Sequence, residues 1–349
     1  SQTPGHPEVE IKGVECTTGP LGQGFAMGVG MAFAEAYLAD ITKSDDVEQK
    51  VVDHYTYVLA TDGDLQEPVA LGAAAIAGHL GLKKLVVYYD ANDAQISGTV
   101  SRSDSVDYAT VFDGLGWNVQ TIDGHDHSAM HFAIETAKVM DKPSIIIGNT
   151  IMAKGSASME KDHNTHGAPL PQGEIDLTKE KLGLPDKKFY VPAEVIDHFR
   201  SRFIDLTNEA EKWSVRFDQL SKDPNFKNII ENTIGEKMVT GLKMPDFDEG
   251  ETLATRKAFG AVLDSIADSL PQLVGGSADL EPSNYTGNFA KKFGDFTKDN
   301  HSGRNIPFGV REFPMAAMMN GMALHGGVIP FGGTFLVFAD YERPALRLA

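Results

Sequence analysis

Apolar and polar positions along this chain switch between two periods, and the switches mark its elements. Tyr55–Ala60 is a short β-branched and aromatic run that suits a strand. Val69–Leu82 repeats small and apolar residues at helical spacing, with Gly81 near its end, and Leu85–Tyr89 is a second apolar run. Thr61-Asp62-Gly63-Asp64 and Asp90-Ala91-Asn92-Asp93 interrupt them with the composition of turns. A strand–helix–strand unit of this length predicts a right-handed parallel crossover. Both acidic turns then meet at the carboxyl edge of one sheet, where open α/β sheets bind ligands.

The same rhythm extends both ways. A small-residue helix is predicted over Gly24–Ala39, entered through Thr17-Thr18-Gly19-Pro20-Leu21-Gly22-Gln23-Gly24. A charged surface excursion follows over Thr42–Val52. After the central unit come a helix around Tyr108–Leu115, a strand Trp117–Ile122, a helix His127–Met140 and a strand Ser144–Asn149. That alternation argues for a doubly wound parallel sheet. From 173 to 250 the pattern is helical, with Ile175–Leu182 and Pro192–Leu220 as helices and Trp213, Phe217 and Leu220 as a packing stripe. Strands return afterwards at Gln272–Val274, Phe308–Val310 and Val328–Phe331, between helices Thr252–Ile266 and Met315–His325. The expected class is therefore α/β, with a sheet domain at 1–172, a helical linker at 173–250 and a second sheet domain at 251–349.

Composition narrows the options. At 349 residues, 42% hydrophobic and 23% charged, the chain reads as soluble and globular. It contains no apolar run of about 18 residues, so no membrane partner is expected. A net charge of −18 argues against nucleic acid as a partner. The single Cys16 excludes an intrachain disulfide framework and fits a reducing, cytoplasmic compartment. No leader pattern opens the sequence.

Chemistry concentrates at the two acidic turns. Asp62 and Asn92 offer hard oxygen ligands for Mg²⁺ or Ca²⁺. Gly63 leaves room for a phosphate against the backbone, and the following helix turns free N–H groups and its positive end to the same place. A metal–diphosphate site is one reading; two ordinary βα turns have the same composition. Thr150–Leu170 is long, polar and Gly-rich, and loops of that kind are commonly functional. It carries His163 and His166, whose spacing without a third clustered ligand does not support zinc. His125 reads as a turn or cap residue. Glu312 beside Arg311 has the appearance of an ion pair, and Phe335 and Phe338 that of core.

Five segments, TPGHPE, TTGPLGQG, DHNTHGAPL, GGSADLEPSN and GVREFPM, occur in this order, together with Asp62-Gly63 and the later Asn92. This text resembles the transketolase family, whose members use thiamine diphosphate. The chain departs from the family pattern at Thr61 and Pro68, where glycine is usual, and at Ala94, which replaces a larger aliphatic residue.

The resemblance implies two thiamine diphosphate-binding sheet domains, the first lacking its beginning and the second its end, with the family's third domain absent. It assigns cofactor contacts to the backbone of Gly19, Pro20 and Leu21, to Gly63, and to Asp279 as a nearby hydrogen-bond partner. Asp62, Asn92 and the carbonyl of Ala94 would ligate Mg²⁺ or Ca²⁺. Glu312 would face the cofactor's pyrimidine, with Phe335 and Phe338 holding that ring and Glu67 reaching across a subunit interface toward the Glu312 network. His166 would touch diphosphate and donor sugar and aid proton transfer, with His163 behind it. His6 would contact the substrate, and Arg256 and Ser283 the acceptor phosphate. The helix Gly24–Ala39 would lie at the subunit interface. Diphosphate and pyrimidine halves come from different subunits in the family, so an obligate homodimer is expected. The implied reaction moves a two-carbon ketol unit from a ketose phosphate to an aldose phosphate, as in the pentose phosphate pathway or the Calvin cycle. A dihydroxyacetone synthase-like relative with a formaldehyde acceptor, or a fragment that only dimerises, are the rivals.

Overall fold

Parallel strands with apolar residues on both faces need cover on both sides, and the first sheet shows how this chain provides it. The computed structural model describes residues 5–43, 50–233 and 241–349. Strands β1 (Thr56–Thr61), β2 (Leu85–Ala91), β3 (Asn118–Asp123) and β4 (Ser144–Asn149) pair in the order β1-β2-β4-β3, all parallel. Leu85, Val87 and Tyr89 of β2 face one core, while Val86 and Tyr88 face another. Helices α1 (Gln23–Ile41), α2 (Asp62–Gln66), α3 (Pro68–Leu80) and α4 (Tyr108–Gly114) accompany the first core. Helix α5 (His127–Lys138) covers the second through Ala133 and Ala137.

Local sequence sets the helix ends. Pro68 occupies the first position of α3, and Gly81 closes it in a left-handed conformation at φ 62°. Asp107 and Asp126 cap α4 and α5, accepting backbone N–H bonds from Thr110 and from Ser128 and Ala129. One expectation changes here: Thr61–Asp64 is not a plain turn but the start of α2. Asp64 accepts from both the backbone N–H and the hydroxyl of Thr61 at 2.9 Å, which braces the residue before the helix against its first turn.

Helices α6 (Gln172–Lys181), α7 (Ala193–Leu220) and α8 (Pro224–Thr233) follow. The packing stripe of α7 holds only at its carboxyl end, where Phe217 and Leu220 pack with Val51 and Phe226, and Trp213 Nε1 donates to the Val51 carbonyl at 2.8 Å. Phe199, Phe203 and Ile204 near its start are exposed. Part of the expected charged excursion, 44–49, and the stretch 234–240 lie outside the described residues.

The second sheet, β6-β5-β7, is also parallel, built from β5 (Leu273–Ser277), β6 (Asn305–Pro307) and β7 (Ile329–Gly333). Helices α9 (Thr255–Ile266), α10 (Glu281–Asn284), α11 (Gly287–Phe293), α12 (Glu312–His325) and α13 (Ala339–Leu348) surround it. The strand expected at Phe308–Val310 lies three residues earlier. Pro307 has no N–H to extend the ladder, and Gly309 turns the chain at φ 67°. Buried Arg304 clamps the end of this sheet, donating to the carbonyls of Ala267, Leu270 and Leu273 with its guanidinium over the Phe293 ring.

One core cluster joins residues of both sheets. Helix α1 meets α12, where Gly30 lies against the backbone of Met318 and Gly321 against that of Met27. The small residues of α1 therefore close a contact within the chain, a use the sequence pattern did not indicate. Tyr37 donates to the Pro271 carbonyl at 2.8 Å, Phe33 packs on Phe296 with ring centroids 4.5 Å apart, and His54 and His325 approach at 2.9 Å between Nε2 atoms.

Candidate functional site

The carboxyl ends of β1 and β2 converge with the glycine loop before α1. Gly22 donates its N–H to Asp64 Oδ1 at 2.9 Å, tying that loop to α2. Its φ of 77° and its spacing demand glycine, since an added Cβ would sit 2.6 Å from the Cβ of Glu67 and 2.9 Å from Val69. A Cβ on Gly19 would come 3.0 Å from the His6 ring, and one on Gly63 would come 3.1 Å from Leu21. The structure thus brings His6, Gly19, Pro20, Leu21, Asp62, Gly63 and Glu67 into one neighbourhood.

Asp62 opens α2 and is 4% exposed, with its Oδ1 accepting the Tyr89 hydroxyl at 2.5 Å. Its Oδ2 is buried without a partner. Burial pushes the carboxyl up, opposed by the Tyr89 hydroxyl and the Asn92 N–H and reinforced by Asp90 and Asp93. A buried, unpaired carboxylate oxygen is costly unless something positive meets it. Asn92 accepts from the Ala94 N–H through Oδ1 and donates to Asp90 Oδ2, both at 2.9 Å. Asp93 between them is left-handed at φ 55°, which redirects the chain into the buried Ala94. The donor set is carboxylate, amide and backbone carbonyl, all hard oxygens, and fits Mg²⁺ or Ca²⁺.

His166 is exposed on the loop that leaves β4 at the same edge of the sheet. His163 begins a short turn held by Asp162, which accepts the Asn164 N–H at 2.9 Å. His125 accepts the Ile151 N–H at 2.8 Å through Nε2, tying the turn after β3 to that loop as a structural residue.

The other candidates stand at the carboxyl edge of the second sheet. Asp279 follows β5 in a left-handed conformation at φ 60°. Ser283 lies in α10, which packs on α9, the helix carrying exposed Arg256; Gly260 of α9 meets Tyr285. Phe335 and Phe338 follow β7 with ring centroids 5.8 Å apart, next to Thr334, whose buried hydroxyl has no partner. Glu312 is the first residue of α12, where the helix N-terminus favours negative charge. It is no simple partner of Arg311, whose guanidinium donates to the Phe308 carbonyl at 3.1 Å. Sequence reasoning missed Asp64, Tyr89, Asp90 and Thr150 here; only Asp64 had a visible signal, as an acidic residue three after Thr61.

Glu342 of α13 was missed as well. Burial and then the charge of Glu312 push its carboxyl up to about 7 from an ordinary 4.5. The ionised form is disfavoured in the folded chain, so the penalty is absent below pH 4.5, grows with rising pH and is complete above about 7. Glu342→Gln is expected to raise Tm by about 2 °C at pH 8, on the order of 1 kcal/mol after solvent screening, and to leave it unchanged at pH 4.5. Thermal unfolding at both pH values checks this; an equal gain at both would mean that the substitution acts through packing.

Comparison with known proteins follows the same division. Residues 1–238 match the family described as transketolase, thiamine diphosphate binding domain, and residues 251–349 match transketolase, pyrimidine binding domain. The chain is 44% identical over 357 aligned positions to the transketolase of Geobacillus stearothermophilus, covering 100% of this chain and 53% of that protein. The transketolase structure from Leishmania mexicana superposes with a TM-score of 0.95 at 38% identity, over 100% of this chain and 52% of that one. A Pichia stipitis transketolase solved with sedoheptulose-7-phosphate gives a TM-score of 0.94 at 36% identity, over 100% and 53%. The chain spans about half the length of the curated relatives it matches.

Proposed function

Since this chain belongs to the transketolase family, we propose that it carries the cofactor-binding part of a transferase that moves a two-carbon ketol unit from a ketose phosphate to an aldose phosphate. The observation that carries the metal–diphosphate part of this reading is the buried, unpaired Oδ2 of Asp62 beside Asn92. Asp62, the Asn92 amide and the Ala94 carbonyl hold Mg²⁺ or Ca²⁺, and the backbone of Gly19–Leu21 and Gly63 accepts the diphosphate. Bound thiamine diphosphate supplies the stabilised carbanion that allows a carbon–carbon bond next to a carbonyl to break and form. Glu312 holds a proton at the pyrimidine ring nitrogen, and Phe335 and Phe338 enclose that ring. His166 moves a proton at the donor hydroxyl, while His6, Arg256 and Ser283 bind hydroxyl and phosphate groups of the sugars.

The two residue groups stand on different sheets, and the homodimer, with Glu67 of one subunit reaching the Glu312 network of the other, rests on the family resemblance. The Pichia stipitis complex supports sugar phosphates as the substrate class. Arg256 offers a phosphate fork and Ser283 a hydroxyl on neighbouring helices, which favours a phosphorylated acceptor over formaldehyde. The lone Cys16 supports a reducing, cytoplasmic setting, and the functional division follows 1–172, 173–250 and 251–349.

Thiamine diphosphate is expected to quench tryptophan fluorescence saturably only when Mg²⁺ or Ca²⁺ is present. The loaded protein is expected to turn over ketose and aldose phosphates together. Saturable binding without turnover would leave a binding fragment, and no divalent-dependent binding would overturn the reading.

A further inference from the structure

The end of β2 places two consecutive residues against the two side chains assigned to the cation. Tyr89 is 6% exposed and donates its hydroxyl hydrogen bond to Asp62 Oδ1. Its ring packs edge-on against Tyr108 at 5.9 Å, and Tyr108 is itself fixed by donating to Asp104 Oδ2 at 2.7 Å, so the Tyr89 hydroxyl has little freedom to swing away. With Oδ1 committed, Oδ2 is the oxygen left unpaired. Asp90, the next residue, works on the other ligand. Its Oδ2 accepts the Asn92 Nδ2 donor, and its Oδ1 accepts the Thr150 hydroxyl from the chain leaving β4.

An ionised carboxylate only accepts, so it draws the NH₂ end of the Asn92 amide. Asn92 Oδ1 is thereby turned the other way, toward the Ala94 N–H, where an oxygen also suits a cation. Strand alternation lets neighbouring residues serve opposite sides: Tyr89 reaches across to the end of β1, and Asp90 reaches forward to its own loop and to β4.

We propose that Tyr89 and Asp90 are positioning residues that select which oxygen of Asp62 and which end of Asn92 faces the divalent cation, with Thr150 holding Asp90 in place. This rests on the metal–diphosphate reading above. Neither residue ligates the metal; each acts through the ligand it orients, and partners of this kind are worth about 10- to 100-fold in metal affinity.

The test measures the Mg²⁺ concentration needed for half-maximal tryptophan quenching at saturating thiamine diphosphate, beside the Tm of each metal-free variant. Tyr89→Phe and Asp90→Asn are each expected to raise the Mg²⁺ requirement at least tenfold. Thr150→Val is expected to raise it several-fold and Thr150→Ser to leave it near wild type, a split that loss of packing would not produce. Should Asp90→Asn fold poorly, the Thr150 pair decides for Asp90, and should Tyr89→Phe fold poorly, Tyr108→Phe, which frees the ring packed on Tyr89, decides for Tyr89. An unchanged Mg²⁺ requirement in folded Tyr89→Phe would overturn the role of Tyr89, and one in folded Asp90→Asn or in Thr150→Val that of Asp90, while leaving the metal site standing. A wild-type protein that binds thiamine diphosphate without any divalent cation would overturn both.

Discussion

Replacing Glu312 by glutamine is expected to lower turnover of a ketose–aldose phosphate pair by about 10²- to 10⁴-fold, the range for removing a positioned acid–base group. Glutamine keeps the length of the side chain and one acceptor oxygen but cannot carry an exchangeable acid proton. Glu312 begins the 14-residue α12, half-buried, with Arg311 engaged at Phe308. Arg311 is thus held to a backbone carbonyl rather than to the Glu312 carboxylate. The helix N-terminus favours negative charge at this position, and Glu312 in turn helps push the carboxyl of Glu342 up. Thiamine diphosphate affinity should fall far less than kcat, because the residues proposed to hold diphosphate and metal stand on the first sheet. Turnover within tenfold of wild type at saturating cofactor would remove Glu312 from its assigned role.

The part of the site that the sequence made legible is the part built from local chemistry. A β-branched run, an acidic turn and Gly81 after a helical stretch located β1, α3 and β2 with small boundary shifts, and β4 falls where expected at Ser144–Asn149. The pairing of β1 with β2 then carried Asp62 to Asn92, because a parallel crossover leaves little choice. What escaped depends on partners distant in sequence. The α2 helix is secured by Gly22 and Thr61 converging on Asp64, and only the second of these is local. Asp90, which accepts the Asn92 amide, is itself bonded to the Thr150 hydroxyl, sixty residues further on. The β6 error has a local cause: Phe308 is buried like a strand residue, yet Pro307 and Gly309 end the ladder before it. Glu342 carries no signal in the sequence, since only the docking of α13 on α12, through Asn320 donating to the Ala345 carbonyl, sinks it beside Glu312.

The largest expected effect on stability comes from glycines rather than charges. An ideal Cβ on Gly30 would overlap the carbonyl oxygen of Met318, and one on Gly321 would overlap that of Met27. Both obstacles are backbone atoms inside helices, so no rotamer change relieves them, and α1 and α12 must separate. That contact lies in the core cluster shared by the two sheets, and separation there loosens packing on both sides. Gly30→Ala and Gly321→Ala are each expected to cost about 1 to 3 kcal/mol, as overpacking does, and Gly30→Val to prevent stable folding. Gly114→Ala is the control, because a Cβ there meets nothing within 4 Å. It should be neutral or slightly stabilising, as alanine restricts the unfolded chain. Since one separation of the helices relieves both clashes, the double variant should lose less than the sum of the two single losses. Urea unfolding of the four proteins measures this. Strict additivity would show that the two glycines are accommodated independently, and that the domains are not joined through a single close helix crossing.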